Sequence, residues 1–391
     1  ALALARKSPR PERIALIGRR FAAATAASAD ASTAGTSTST ATSGPTSGVA
    51  TAGAAPAVDP RTLALNHGSR VLLEQLACWP AASADIRTVH VSQAGRLGRS
   101  LILHDELGVP RLGSVVGYDD LLSSLHTALL NSGVSLIEAA PTQALVAGQV
   151  EFDLGGSRLR STLAVQSDGI RPRGVERHYR QSAVLATVRA LRPRDAWAFE
   201  RFTRNGPLAM LPHPHGQDLY GVVWCCPPDQ AERIRSLDDQ GYAQALYDAF
   251  GSRLGRFQPL GERHVFPLSM HAGPSLINPR CVAIGNAAQT LHPVAGQGLN
   301  LGLRDVAQLA QALAPWLARP ESDPADLLAQ FARQRRPDRW LTAGITDFLP
   351  RVFATGNPLV EHAGGLALLS LDMLPALRGP LARHLLQGLR S

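Results

Sequence analysis

The most regular pattern of apolar and polar residues lies between positions 280 and 313. The apolar run Cys281–Ile284 predicts a short buried strand. A glycine-rich stretch follows, and from Leu299 apolar residues recur every three or four positions, which predicts a helix. We expect this helix to end at Pro315, because proline interrupts helical hydrogen bonds. The apolar positions of the helix are Leu299, Leu303, Val306, Leu309, Ala310 and Leu313.

Similar patterns predict the remaining elements. Apolar or alternating runs predict strands at 13–17, 89–93, 115–116 and 163–166, and alternation from Ala183 to Leu276 indicates a β-rich region. Apolar residues at helical spacing predict helices at 1–5, 72–76, 121–129, 327–341 and 364–389. No internal repeat is visible.

The loop between the central strand and helix contains Gly285-Asn286, His292-Pro293 and the triplet Gly296-Gln297-Gly298. A glycine-rich loop that opens onto a helix presents unpaired N–H groups and the positive end of the helix dipole. The bound group is therefore expected to carry or develop negative charge. An ordinary tight strand-to-helix connection explains the glycines alone equally well.

Composition adds two constraints. The 391 residues allow about two domains, whereas residues 22–57 are almost entirely Ala, Thr, Ser and Gly, which predicts a disordered surface insertion. The net charge is +8, but Lys7 is the only lysine and no basic stripe is interleaved with aromatic residues. The charge therefore does not indicate nucleic-acid binding, and a membrane surface is the partner it favours.

The cysteine and histidine patterns do not predict a metal site. The cysteines lack CxxC spacing, and reduced thiols are expected. His213 and His215 flank Pro214 in a predicted loop without a nearby carboxylate cluster.

The string from Gly285 to Asn300 is more specific than its glycines. It resembles the second flavin-binding motif of FAD-dependent aromatic-ring monooxygenases, in the variant of the ubiquinone-biosynthesis hydroxylases. Asn286 stands where most of the family has aspartate, and its amide can still donate to and accept from the ribityl chain. Asp59 to Leu65 and Asp168-Gly169 resemble two further motifs of this family. The cofactor-binding residues that the resemblance implies are Arg61, Asp168, Gly169, Gly285, Asn286, Pro293, Gly296, Gln297, Gly298, Leu299 and Asn300.

Simpler interpretations exist for two of these motifs. Arg61 alone also suits a surface ion pair with Asp59. Asp168-Gly169 alone is a common turn signal.

The beginning of the chain departs from the family pattern. The family starts with a strand and a GxGxxG turn that binds the FAD pyrophosphate, and neither precedes the helix predicted at 1–5. The sequence is therefore expected to be N-terminally truncated and to hold FAD poorly. A non-catalytic fragment or an assembly subunit is accordingly one alternative function.

The resemblance implies an α/β fold. A doubly wound FAD-binding domain without its first strand would be interrupted by a β-sheet substrate domain and followed by C-terminal helices. The expected boundaries are 1–85, 113–175 and 276–345 for the FAD-binding domain, 86–112 and 176–275 for the substrate domain, and 346–391 for the C-terminal helical segment.

The implied function is hydroxylation of a polyprenyl-methoxyphenol in ubiquinone biosynthesis through a flavin C4a-hydroperoxide. The expected cofactors are FAD, O₂, and NAD(P)H or another electron donor. A flavoenzyme of the same fold that acts on another phenol is an alternative. His292 is a candidate base, with a structural role in shaping the Pro293 turn as the alternative.

A stripe of apolar residues near the C-terminus bears on where the protein lies in the cell. These residues share one helical face beside several arginines, which is typical of a segment lying in a membrane interface. We therefore expect a cytoplasmic protein that associates peripherally with the inner membrane or with other ubiquinone-biosynthesis proteins. Packing of the stripe on the FAD-binding domain is the alternative. The stripe comprises Leu366, Leu369, Met373, Leu377, Leu381, Leu385 and Leu389.

Overall fold

The computed structural model describes residues 1–18, 61–96, 98–140, 142–146, 148–168, 174–273, 276–293, 296–353, 358–374, 379–380 and 382–384. The insertion predicted at 22–57 and the residue Asp59 lie outside these ranges. The strands are β1 Ala15–Gly18, β2 Thr62–Asn66, β3 Ala84–Ile86, β4 Thr88–Gln93, β5 Arg99–Leu103, β6 Gly113–Gly117, β7 Ser135–Glu138, β8 Thr142–Val146, β9 Gln149–Asp153, β10 Arg158–Ser161, β11 Ala164–Gln166, β12 Val175–Ala190, β13 Trp197–Thr203, β14 Gly206–His213, β15 Gly216–Cys226, β16 Phe257–Ala272, β17 Ile277–Asn278, β18 Cys281–Ala283 and β19 Gln289–Thr290. The helices are α1 Leu2–Ala5, α2 His67–Gln75, α3 Tyr118–Leu130, α4 Pro228–Ser236, α5 Asp239–Phe250, α6 Gln297–Ala318, α7 Ala325–Phe353 and α8 Pro358–Met373.

An eight-stranded sheet in the order β19-β16-β12-β15-β14-β13-β4-β5 forms the largest layer. Its pairs are antiparallel except for β13 and β4, which run parallel. On one face Phe199 packs with Leu246 and Phe250 of α5. On the other face Ala198 packs with Ile86 and Val115. The sheet is thus covered on both sides, by α5 on one and by the β2-β6-β3 sheet on the other.

The β-rich prediction for Ala183 to Leu276 was wrong over residues 228–250, which form α4 and α5. Both helices carry local start signals that the apolar alternation obscured. α4 has Pro228 in its first turn, and the Asp238 carboxylate at the start of α5 accepts a hydrogen bond from Gly241 N at 2.7 Å.

Parallel strand pairs and helices make up the rest of the fold. β1 pairs with β7 and β11 pairs with β18, both in parallel, and β17 adds an antiparallel edge to β18. α6 buries Leu309 and Leu313 against Val282 and Ile284, in and beside β18. This mixed α/β organisation, with a large sheet and C-terminal helices, confirms the predicted fold class.

Proline does not end the central helix. α6 starts at Gln297, two residues before the expected start, and continues through Pro315 to Ala318. Pro315 lies in the last turn, and the carbonyl whose hydrogen bond it removes belongs to Gln311, an exposed residue that water can reach. Trp316 and Leu317, which follow the proline, are buried in the core and hold this last turn in place.

The two C-terminal helices also differ from the prediction in length. α7 extends to Phe353, well past the expected end at Leu341. α8 ends at Met373, and most of the remaining apolar stripe lies outside the described residues. Within the described stripe, Leu366 is 64% exposed and Met373 is 72% exposed, so these two are not packed against the rest of the chain. Among the described residues no helix is long and apolar enough to cross a membrane.

Candidate cofactor-binding site

Glycines shape both ends of the central loop. Gly285 has a φ of 54° and starts a single 3₁₀ turn directly after β18, and Gly296 has a φ of 59° immediately before α6. Side chains strain the backbone in this left-handed region. A third glycine permits close packing, because a Cβ on Gly302 would lie 3.2 Å from the Cα of Gly285. The loop is therefore pressed against the second turn of α6.

Asp305 fastens the loop to α6. Its side chain is fully buried, and Oδ2 accepts hydrogen bonds from Gly285 N at 3.3 Å and from Gln289 Nε2 at 2.8 Å. Its other oxygen, Oδ1, accepts from Arg335 Nε of α7 at 2.7 Å. Arg339, one turn further along α7, donates from Nε to Gln289 Oε1 at 2.6 Å. Two buried arginines of α7 thus fix the loop from behind.

Asn300 connects α6 to β2 instead of facing outward. It is 2% exposed, and Nδ2 donates to the carbonyls of Ala64 at 3.0 Å and Gly296 at 2.7 Å. Oδ1 accepts from Asn66 N at 2.9 Å and from Ser69 Oγ at 2.7 Å. All four hydrogen-bonding positions of the amide are occupied by protein groups. Only the backbone of Asn300 remains for a ligand.

The other predicted residues of this segment leave room for a ligand. Asn286 and Leu299 are exposed, and a Cβ on Gly298 would meet no atom within 4 Å. Pro293 is partly buried, and Gln297 is buried at the start of α6. The first N–H groups of α6 have no partner within the helix, because helical hydrogen bonds begin only in the second turn. The helix start therefore offers donors beside an open approach.

Asp168 lies at the carboxyl end of β11, beside the carboxyl end of β18. It is exposed and follows Ser167, whose carbonyl accepts from Ala287 N at 3.1 Å. Because β11 and β18 run parallel, their carboxyl ends meet at one edge, which is where ligands bind in α/β sheets. Gly169 lies outside the described residues.

Arg61 precedes β2, the strand to which Asn300 is hydrogen-bonded. Its guanidinium carbon is 4.1 Å from the ring centroid of Tyr118, and its carbonyl accepts from Tyr118 N at 2.9 Å. These contacts fix Arg61 against the first turn of α3.

These features fit a flavin. Reduced flavin carries negative charge near N1 and the C2 carbonyl, which suits the N-terminus of α6. The exposed amide of Asn286 suits a hydroxylated chain, and Gly298 leaves space for a planar ring to approach the backbone.

A polar cluster around the buried His292 adjoins the loop on the side of the large sheet. His292 is fully buried, and Tyr179 of β12 meets it edge-on with ring centroids 4.8 Å apart. His292 Nε2 is 3.3 Å from Gln181 Oε1, and the Tyr179 hydroxyl donates to Asp347 Oδ1 at 3.2 Å. Burial lowers the pKa of His292 to about 4, so the imidazole is neutral at physiological pH.

Sequence reasoning did not identify Asp305, Arg335, Arg339, Tyr179 or Gln181. The signal for Asp305 was a carboxylate one position before the apolar residue Val306 of a predicted helix, and charged residues are rarely buried without a partner. Its partner Arg335 lies 30 residues away, and nothing in the sequence pattern pairs them.

His213 and His215 lie with ring centroids 5.6 Å apart, and His215 Nε2 is 2.9 Å from Asp120 Oδ2. In the part of the chain that the structure describes, no three His, Cys, Asp or Glu residues lie close enough to hold a metal ion. The four cysteines are buried and unbridged.

Comparison with known proteins bears directly on this site. Residues 155–343 match a family described as an FAD binding domain. Nearly half of the chain is thus similar to an FAD-binding domain. Ubiquinone hydroxylase of Rhodospirillum rubrum is 34% identical over 245 residues, which cover 60% of this chain and 56% of that protein. The 3-demethoxyubiquinol 3-hydroxylase of Escherichia coli is 28% identical over 353 residues, 82% of this chain and 85% of the relative.

The chain also matches solved structures. The p-nitrophenol 4-monooxygenase of Pseudomonas putida superposes with a TM-score of 0.67 at 12% identity, over 85% of this chain and 91% of that one. At this identity the likeness shows the fold. Together these comparisons confirm the resemblance to FAD-dependent hydroxylases of ubiquinone biosynthesis. The chain spans about half the length of the two curated relatives that are more than 30% identical to it.

Proposed function

We propose that this chain binds FAD along residues 285–300 and hydroxylates a polyprenyl phenol in ubiquinone biosynthesis. The observation that supports the proposal is the open N-terminus of α6 beside Gly298, in a loop whose sequence resembles the flavin motif of such hydroxylases. The relatives named as ubiquinone hydroxylases support the substrate class.

Each part of the site has a role in this proposal. Asn286 and the N–H groups at the start of α6 would hold FAD, and Arg61 and Asp168 would also contact it, as the resemblance implies. When bound, FAD supplies the redox chemistry, taking electrons from NAD(P)H or another donor and activating O₂. Asp305 and Arg335 keep the loop in position. His292 is fully buried against Tyr179 and Gln181, and its low pKa makes it a weak base.

We propose that the chain forms two domains. The FAD-binding domain comprises 1–85, 113–175 and 276–345, and the substrate domain comprises 86–112 and 176–275. The polar cluster of Tyr179, Gln181 and His292 lies where these two parts meet.

Gly298→Val tests the cofactor assignment. The added side chain enters space that is open in the folded chain, so it obstructs a ligand without displacing protein atoms. We expect FAD binding to weaken by about 1 kcal/mol or more, roughly fivefold, in a titration followed by flavin fluorescence. Gly344→Val, at another helical glycine with no atom within 4 Å of its Cβ position, is the matched control and should bind FAD as wild type does. Equal FAD affinity in both variants would refute the assignment.

Substrate-dependent oxygen consumption tests the activity. A short-chain prenylated methoxyphenol, supplied with NAD(P)H and FAD, should stimulate oxygen uptake in proportion to the hydroxylated product. Stimulation by a simple phenol but not by the prenylated one would favour the alternative flavoenzyme. FAD binding without stimulation by either would favour a non-catalytic role.

We also propose peripheral membrane association through α8. Leu366, Met373 and Leu374 are 64%, 72% and 52% exposed, and exposed apolar groups of this kind insert into the interface of a bilayer. In flotation with anionic vesicles, Leu366→Asp combined with Met373→Asp should leave the chain at the bottom of the gradient. Leu130→Asp, at an equally exposed leucine at the end of α3, is the control and should float as wild type does. Equal flotation of both variants would exclude α8 as the contact.

A further inference from the structure

A second candidate site lies on the face of the large sheet that packs against α5. Arg201 of β13 pairs with Ser92 of β4, and Ser92 pairs with Arg99 of β5. Directly paired residues project to the same side of a sheet, so the two arginines share one face. Phe199, two residues from Arg201, packs against Phe250 of α5 with ring centroids 5.4 Å apart, which identifies that face.

Two further arginines approach from the surrounding loops. Arg253 lies in a single 3₁₀ turn, Ser252–Leu254, that follows α5. Arg194 lies in the connection before β13, with its guanidinium carbon 4.8 Å from the centroid of the Trp197 ring. Arg99, Arg194 and Arg253 are exposed. We call Arg99, Arg194, Arg201 and Arg253 the arginine cluster.

Neighbouring arginines lower the pKa of two members of the cluster. Burial and then Arg99 and Arg194 lower the pKa of Arg253, and burial and then Arg253 lower the pKa of Arg201. Beneath them lies His90, 5% exposed, whose pKa is lowered to about 4 by burial and by Arg253, with smaller effects of Arg99 and Arg201.

No carboxylate in the described ranges forms an ion pair with any of the four arginines. Elsewhere the chain pairs its arginines readily, as Arg189 does with Asp218 at 2.7 Å. Mutual repulsion of unpaired cations destabilises a folded chain, so fold stability does not explain this arrangement.

The cluster is held on rigid elements. Arg201 Nε donates to the carbonyl of Ala249, near the C-terminus of α5, at 3.0 Å, where the negative end of the helix dipole favours a cation. The Arg194 guanidinium rests on the indole of Trp197, which in turn stacks with His90 at 6.5 Å between centroids. The positions of two of the four charges, those of Arg194 and Arg201, are therefore set before any ligand arrives.

We propose that the arginine cluster binds a phosphate group, carried by a soluble phosphate ester or by a phospholipid headgroup. Arginine is suited to this role because its planar fork matches phosphate oxygens in pairs. A phosphate monoester brings between one and a half and two negative charges, roughly, which several guanidinium groups share better than a single one. The site does not depend on flavin, because the sheet face that carries it packs against α5 and not against the β2-β6-β3 sheet.

Inorganic phosphate is the first probe. Thermal unfolding of the purified chain should shift upward and saturate with added phosphate, measured against chloride at equal ionic strength, because a ligand that binds only the folded state raises Tm. Arg253→Gln removes one exposed cation and should fold normally, yet require at least about tenfold more phosphate, given the strength of charge-assisted hydrogen bonds. Arg233→Gln, on α4 and paired with Asp229, is the matched control and should respond as wild type does. An unsaturable response, or equal responses of both variants, would overturn the proposal.

Two further arms distinguish the source of the phosphate. Glycerol 3-phosphate represents a soluble ester, and vesicles of phosphatidylglycerol represent a headgroup. A loss in Arg253→Gln confined to glycerol 3-phosphate supports a soluble ester, and a loss confined to vesicles supports a lipid. If Arg253→Gln and Arg233→Gln behave alike in both arms, the cluster is an ordinary solvated surface and the proposal fails.

Discussion

Arg335→Met offers the sharpest test of how the core supports the loop. Arg335 is buried, with Nε 2.7 Å from Asp305 Oδ1 and Nη1 2.5 Å from Asp338 Oδ2. The side chains of the three residues are at most 3% exposed. Methionine has a similar shape and no charge, so the substitution removes the cation with little change in packing.

The expected loss of stability depends on the partners that Asp305 and Asp338 keep in the variant. Arg304 still pairs with Asp338 at 2.9 Å, whereas Asp305 keeps only Gly285 N and Gln289 Nε2. Breaking a buried ion pair on one side typically costs about 3–5 kcal/mol. Domains are stable by about 5–15 kcal/mol, so the loss is expected to be a large part of the total.

Urea unfolding at neutral pH measures this loss. The matched control is Arg336→Met, at the next position of α7, where the arginine is exposed; it should cost less than about 0.5 kcal/mol. The double variant Arg335→Met with Asp305→Asn should lose less stability than the two single variants added together. The reason is that the neutral amide at position 305 no longer needs a counter-charge. If Arg335→Met and Arg336→Met unfold at the same urea concentration, the buried network does not stabilise the chain.

Two further predictions concern the loop and the titration of buried imidazoles. Gly302→Ala should lower the free energy of unfolding although alanine favours helices, because its Cβ would lie 3.2 Å from the Gly285 Cα. The control Gly344→Ala, in open space, should raise the free energy of unfolding by roughly 0.5–1 kcal/mol. A gain in stability in both variants would contradict the close contact. Burial lowers the pKa values of His90 and His292 to about 4, so their contribution to stability is full above pH 6.5 and falls by roughly 3 kcal/mol per residue as the pH decreases toward 4. In urea unfolding at several pH values, His292→Gln should make the stability depend less on pH. An unchanged dependence on pH would refute this prediction for His292.

The sequence pattern predicted the local part of the site well. A run of apolar residues, a glycine turn and helical spacing specify β18, the loop and α6, because each signal acts within a few residues. Residue order therefore sufficed to locate the open end of α6.

Distant contacts were beyond that reasoning. Asp305 and Arg335 are on different helices, so their pairing depends on how α6 and α7 pack. Asn300 was expected to serve the cofactor by resemblance, yet its amide is occupied by β2 and α2, contacts that no spacing rule reveals. Pro315 was expected to end α6, but tertiary burial of Trp316 and Leu317 overrides the local cost of proline.

The structural contacts of α6 and the cofactor contacts proposed for it lie in different turns. Gly302 faces the protein, so an added methyl group there displaces the Gly285 loop and is felt before any ligand binds. Gly298, one turn earlier, faces open space, so an added side chain is felt only when a ligand approaches. Asp305 lies on the side of Gly302, since it bonds to the same loop from within the core. The first turn of α6 can therefore be specialised for a ligand, while its second and third turns bear the structural role of holding the loop.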